Sequence, residues 1–235
     1  MTKFTRRSLV GHAALGLAAL GAMNAPAEAQ LVYKPTDWNL ADFDRLLKKR
    51  ARVKQVFDET QIGGGRFLNN IKNSFNGLQF SFNIPADQIL IVSAMHGPAN
   101  MLNFDDYVWK KYRIGEWLKV DDPLTGQPAV RNIYLVKKAG SDAQSASQDP
   151  SDESSSFQDA SIQALQARGV QFLCCHTATE EQARALVKQY GLAQQPEEIV
   201  KDLLAHTVPG VLVVAAMVSA IALMQSEGRF SYVTV

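Results

Sequence analysis

The spacing of apolar residues along the chain divides it into alternating strand and helix patterns. From Gln88 to Met95 the chain is apolar almost without interruption, which is the mark of a parallel strand covered on both faces. Gly169 to Cys175 is a second such run, and Val211 to Ala216 a third, also expected to be buried. Arg52 to Phe57 alternates polar and apolar and predicts a first strand; Phe230 to Val235 predicts a last one. Between them the period changes to 3.6. Leu40, Phe43, Leu46 and Leu47 predict a helix capped by Asp37, and Lys48, Lys49 and Arg50 suit its C-terminal dipole. Phe67, Leu68, Ile71 and Phe75 predict a second helix. Met101 to Trp117 carries the aromatics of a third, and Phe157 to Arg168 a fourth that stops at Gly169. Thr179 to Gln182 matches a capping box that would start a fifth, running to Tyr190. Pro196 opens a sixth through Ile199 and Leu203, and Met217 to Gln225 is a seventh. Strands alternating with helices predict a single α/β domain with three layers, a Rossmann-like, mostly parallel sheet with helices on both faces.

Two stretches fall outside that domain pattern. Residues 1–29 hold Arg6 and Arg7, followed by Ser8 and Leu9, a weakly apolar run, and Ala27-Glu28-Ala29. This is the layout of a twin-arginine signal peptide cleaved after Ala29, so the expectation is export to the periplasm, with Arg6 and Arg7 read by the export machinery. Residues 30–50 form a lead-in and the first helix, and 51–235 the α/β domain. Within it, Asp121 to Ser156 reads as an insertion with turns over Asp121 to Gly126 and a short edge strand over Asn132 to Val136. Its portion 137–156, rich in Ser, Asp, Gln and Ala, predicts a disordered surface loop. The apolar run over 211–224 is shorter than the ~20 residues of a membrane span, so none is expected in the mature chain.

Charge narrows the partners. The chain has 24 Lys+Arg against 23 Asp+Glu, and the mature form stays close to neutral, which excludes nucleic acid as the main partner. The glycines at 63–65 lie between a strand and a helix, the setting of a phosphate cradle. However, the third position of the dinucleotide fingerprint is Leu68, and no Gly-Lys-Ser/Thr occurs, so no nucleotide cofactor is expected.

The candidate chemistry sits at strand ends. Both cysteines of the chain, Cys174 and Cys175, close the Gly169–Cys175 strand, and His176 follows. Adjacent Cα atoms lie about 3.8 Å apart, closer than the roughly 4.4–6.8 Å usual across a disulfide, so the pair is not a staple. Alternation puts Phe172 and Cys174 on one face and Leu173 and Cys175 on the other. Cys175, nearer the strand end and a helix N-terminus, is the better nucleophile, and Cys174 the better core residue. His96, ending the Gln88–Met95 strand ahead of Gly97 and Pro98, and His176 are the candidate bases. A metal site would draw on Cys175, His96 and His176, but no Cys-x-x-Cys or His-x-x-His spacing supports one, and no metal is assigned.

These segments resemble one family. Gly-Val-Gln-Phe-Leu-Cys-Cys-His-Thr at 169–177, Val208-Pro209-Gly210-Val211, and Ala220 to Gly228 ahead of the last strand are similar to the DsrE/DsrF-like family. So are Lys54-Gln55-Val56-Phe57, Leu68-Asn69-Asn70-Ile71, and His96-Gly97-Pro98-Ala99. The resemblance spans roughly 51–110 and 157–235. It implies a small Rossmann-like domain that assembles as a homotrimer or homohexamer. It also implies a link to sulfur transfer, with the family cysteine falling on Cys175 and the His-Gly turn on His96 and Gly97. The expectation is a periplasmic protein that binds or transfers small sulfur species, or performs thiol redox, through Cys175 with His96 and His176. The alternative is a non-catalytic, ligand- or metal-binding oligomeric module using the same crevice.

Overall fold

The structure, a computed structural model, describes residues 34–137 and 147–234. The expected signal peptide with Arg6 and Arg7, the start of the lead-in, and part of the 137–156 loop lie outside the described residues.

Five parallel strands form one sheet in the order β4-β3-β2-β1-β5. They are β1 (Val53–Glu59), β2 (Ile89–Met95), β3 (Gln171–Cys175), β4 (Leu212–Val214) and β5 (Ser231–Thr234). Every residue of β2 is buried, as its unbroken apolar run requires of a central strand. Eight α-helices accompany them among the described residues: α1 (Leu40–Lys48), α2 (Arg66–Asn76), α3 (Asp106–Lys111), α4 (Ile114–Leu118), α5 (Ile162–Ala167), α6 (His176–Tyr190), α7 (Pro196–Ala205) and α8 (Met217–Ser226).

The two faces of the sheet bury two separate cores. One gathers Phe57, Ile91, Met95, Phe172 and Cys174 with apolar residues of α2 through α7. The other gathers Val56, Leu90, Val92, Ala94, Leu173 and Cys175 with α1 and α8. The expected alternation of the cysteines therefore holds: one residue step carries the side chain through the sheet. From β1 to β4 the chain steps across the sheet in one direction, with its connecting helices on the first face. It then reverses, and α8 runs back over the second face against β3, β2 and β1 to reach β5. Changing face on reversing direction keeps the hand of the crossovers constant.

Several local expectations are corrected. Met101 to Trp117 is not one helix. Gly97–Asn103 is a 3₁₀ segment, and Asp105 then caps α3 by accepting from the N–H groups of Tyr107 and Val108. Arg113, at φ 53°, separates α3 from α4. Asn132 to Val136 is a set of turns and not an edge strand. Its anchor is the buried Asn132, whose amide donates to the carbonyls of Leu102 and Phe104, both at 2.9 Å. Side-chain capping, which competes with ladder formation, decides the local structure there. Asn39, not Asp37, caps α1, accepting from the Asp42 N–H at 3.2 Å. The α6 helix starts at His176, three residues before the expected capping box, because the Cys175 sulfur serves as its N-cap. Val211 to Ala216 is only partly buried, since β4 is an edge strand with one neighbour. In the insertion, residues 147–156 form turns held by Asp149 and Asp152, which accept from Ser151 and Ser154.

At Gly115 the α3–α4 region lies close against the backbone of Ala129 in the insertion. A Cβ there would lie 2.3 Å from the Ala129 carbonyl oxygen and 2.4 Å from its nitrogen. Both are backbone atoms that cannot rotate away. Gly115→Ala is expected to destabilise the protein by about 1–3 kcal/mol through overpacking, read as a lower midpoint in urea unfolding.

Candidate functional site

The carboxyl ends of the strands, where open α/β sheets place ligands, carry three clusters of polar and reactive groups.

The first is the cradle of Cys175. Its Sγ accepts from the N–H of Ala178 at 3.4 Å and from the N–H of Met217 at 3.3 Å. These donors belong to the first turns of α6 and α8, so the positive ends of two helix dipoles converge on one sulfur. Burial nevertheless raises the Cys175 pKa above the usual thiol value. The N–H groups of Ala178, Met217 and Thr177 oppose that rise, and the negative charge of Glu181 adds to it. Cys174, on the other face, is wholly buried, and burial pushes it up to about 12, as befits a core residue. Beneath the cradle, Asn100 joins the β2 end to the β3 end. Its carbonyl accepts from the Cys175 N–H at 2.9 Å, and its amide donates to Thr179 Oγ1 and Gln182 Oε1, both at 3.0 Å. An apolar cleft of about 160 Å³ opens beside this core, between α1, β4 and α8. Its walls include Phe43, Val214 and Ala220, which pack in the same core as Cys175.

The second cluster is at His176. The ring is fully buried, and its Nε2 lies 2.9 Å from Asp37 Oδ2. Trp38 packs against it edge-on, with centroids 5.2 Å apart. One helical turn on, Glu180 is also fully buried and meets Lys34 at 3.8 Å and Arg184 at 3.3 Å. Residues 34–38 thus strap down the start of α6. The structure ties His176 to this strap and shows no hydrogen bond from it to the Cys175 thiol.

The third cluster was not anticipated from sequence, except for His96. The Nε2 of His96 lies 2.7 Å from Asp58 Oδ1, and the Tyr232 hydroxyl donates to Asp58 Oδ2 at 2.5 Å. That bond heads the causes that raise the Tyr232 pKa. Next to Asp58, Glu59 points to the opposite face and is buried, and its Oε1 has no hydrogen-bond partner. Burial first, and the Asp58 charge second, push its pKa up to about 8, so Glu59 is a neutral acid at pH 7. Gly97 shapes the turn after His96. Its φ is +52°, and a Cβ would sit 3.0 Å from the Thr60 carbonyl oxygen. The signal that could have identified Asp58 is its position, a carboxylate next to the end of the first strand. The pairing itself joins residues that are far apart in sequence.

Among the described residues, no group of three or more His, Cys, Asp or Glu side chains is arranged to hold a metal ion. No family model, no curated protein and no solved structure matches the chain.

Proposed function

We propose that this chain is a periplasmic, DsrE-like sulfur-handling protein in which Cys175 binds and passes on sulfane sulfur. The observation that carries the reading is the Cys175 cradle. A sulfur anion formed at Sγ meets N–H groups from two helix N-termini, a pull toward the thiolate or persulfide that opposes the effect of burial. The neighbouring apolar cleft suits an uncharged or weakly hydrated sulfur chain better than a strongly hydrated anion.

The chemistry needs no oxidant. The Cys175 thiolate attacks the outer sulfur of a sulfane donor such as thiosulfate. A new S–S bond forms on the protein, the S–S bond of the donor breaks, and sulfite leaves with the bonding electron pair. A thiol acceptor then takes the outer sulfur by the same displacement in reverse. The family resemblance adds a homo-oligomer, trimer or hexamer, and the N-terminal pattern adds export through Arg6 and Arg7 with cleavage after Ala29. The experiment is alkylation of the native mature protein with iodoacetamide, mapped by fragmentation mass spectrometry. Cys175 is expected to be modified while the protein stays folded, and Cys174 only on unfolding. If neither cysteine reacts before unfolding, the reading fails.

A second reading, a non-catalytic binding module, draws on the row His176, Glu180 and Arg184 along α6. Each keeps one buried polar atom without a hydrogen-bond partner: Nδ1, Oε1 and Nη2, respectively. Glu180 Oε1 has only the longer ion pair with Lys34 at 3.8 Å, and buried atoms without a hydrogen bond on one helix face mark a place for bound water or a small polar ligand.

A further inference from the structure

The third cluster and the cysteine cradle occupy one line across the sheet. β2 and β3 pair in register through Ala94↔Leu173 and Met95↔Cys174. His96 and Cys175 are the next residues on these two strands, and both have extended backbones. By alternation both belong to the face that carries Ala94 and Leu173, the face packed by α1 and α8. Asp58 pairs with Ala94 across β1 and β2, and Tyr232 pairs with Val56 across β1 and β5, so they share that face. Reading across β3, β2, β1 and β5, the strand ends present a thiol, an imidazole, a carboxylate and a phenol. Parallel neighbours are about 4.8 Å apart, so each group stands one strand from the next.

We propose that Asp58, held by Tyr232, positions His96 as the base that serves Cys175. This deepens the sulfur-handling reading and rests on it. The tautomer follows from the contacts. Asp58 accepts from the Tyr232 hydroxyl on one oxygen, so its other oxygen, as a carboxylate, accepts from the His96 Nε2–H. That leaves the lone pair of neutral His96 on Nδ1, which has no hydrogen-bond partner among the described residues. In the resting structure no hydrogen bond joins His96 to the thiol. A χ rotation of Cys175 out of its N-cap position is the movement the relay requires. The proton of Sγ then passes to Nδ1, the imidazolium is stabilised by Asp58, and Sγ rotates back as a thiolate to face the two helix N-termini. On release of sulfur to an acceptor thiol, His96 returns the proton. A carboxylate that orients an imidazole and stabilises its charged form is the general logic of nucleophile, base and orienting acid. Asp58 and Tyr232 are positioning residues in this scheme, because neither touches the sulfur.

The test is the rate of Cys175 alkylation by iodoacetamide from pH 6 to pH 10 in the wild type, Asp58→Asn, Tyr232→Phe and His96→Ala. Fold retention is followed by circular dichroism. At pH 7 the Asp58→Asn and His96→Ala variants are expected to react about tenfold more slowly or worse, and Tyr232→Phe less severely. The gap between the wild type and the variants is expected to narrow as the pH rises toward 10, where hydroxide takes the thiol proton without help from His96. Superimposable wild-type and Asp58→Asn profiles would overturn the relay while leaving Cys175 as a reactive thiol. An equal slowing at every pH, including pH 10, would also overturn it, since that is the mark of altered packing rather than a lost base. A wild-type Cys175 that stays inert at every pH would remove the sulfur reading itself, and the relay with it.

Discussion

Glu59→Gln is expected to make the protein more stable above pH 8 and to remove a pH-dependent loss of stability that the wild type shows. Glu59 ends β1 with its side chain buried in the core of the α2–α7 face, and its Oε1 lacks a partner. Its pKa stands at about 8 in the folded protein, against 4.5 ordinarily. Between those two values the folded state holds a proton that the unfolded chain has released. The folded state therefore binds more protons, and stability falls as pH rises through this window. The contribution is complete below about pH 4.5 and gone above about pH 8. A shift of this size corresponds to a loss on the order of 5 kcal/mol across the window. Gln keeps the shape and has no proton to lose. The difference between variant and wild-type unfolding free energies should be near zero at pH 5 and grow to several kcal/mol by pH 9. Other titrating groups are common to both proteins and largely cancel in that difference. Parallel curves for the two proteins would show that Glu59 ionises normally.

The second large effect is expected at Asn100. This side chain is fully buried and ties the turn after β2 to the end of β3. Asn100→Ala removes the acceptor of the Cys175 N–H and the donor to Thr179 and Gln182. It also takes from the Asn103 amide one of its two acceptors, Asn100 Oδ1 at 3.3 Å, and leaves it the Leu173 carbonyl at 3.1 Å. Leaving several buried groups unpaired costs about 1–3 kcal/mol for each group not rescued by water, so a total loss of roughly 3 kcal/mol or more is expected in urea unfolding. Asn100→Asp separates the polar contribution from the steric one. It is nearly isosteric, but it sets a carboxylate against Gln182 Oε1. Its stability should therefore fall further as pH rises through the carboxylate range. A loss for Asn100→Asp that does not change with pH would contradict donation from the Asn100 amide to Gln182 Oε1.

Much of the frame is readable in the sequence, and the reason is local. The β2 run is apolar on both faces because the strand has neighbours on both sides and helices above and below. The passage of Cys174 and Cys175 to opposite cores follows from strand alternation alone. The helix from Arg66 to Asn76 buries Phe67, Leu68, Ile71 and Phe75, the residues its period marks. What escapes a sequence reading is what depends on contacts between distant segments. Asp58, His96 and Tyr232 come from three strands, and nothing in the spacing of one foretells the others. The cap of α6 is a sulfur, and cysteine is not among the residues that signal a helix start. The break at Asp105 within an aromatic-rich stretch follows from competition between side-chain capping and helix continuation, in which apolar periodicity points the wrong way. His176 looks like a strand-end base in sequence, but its ring is committed to Asp37 of the N-terminal strap.

The most direct measurement is the intact and fragment mass of Cys175 after the native mature protein is incubated with thiosulfate or polysulfide. The sulfur-handling account predicts a gain of one sulfur atom on Cys175, reversed by a thiol acceptor and absent in Cys175→Ser. A protein that gains no sulfur, or gains it equally in Cys175→Ser, would contradict it.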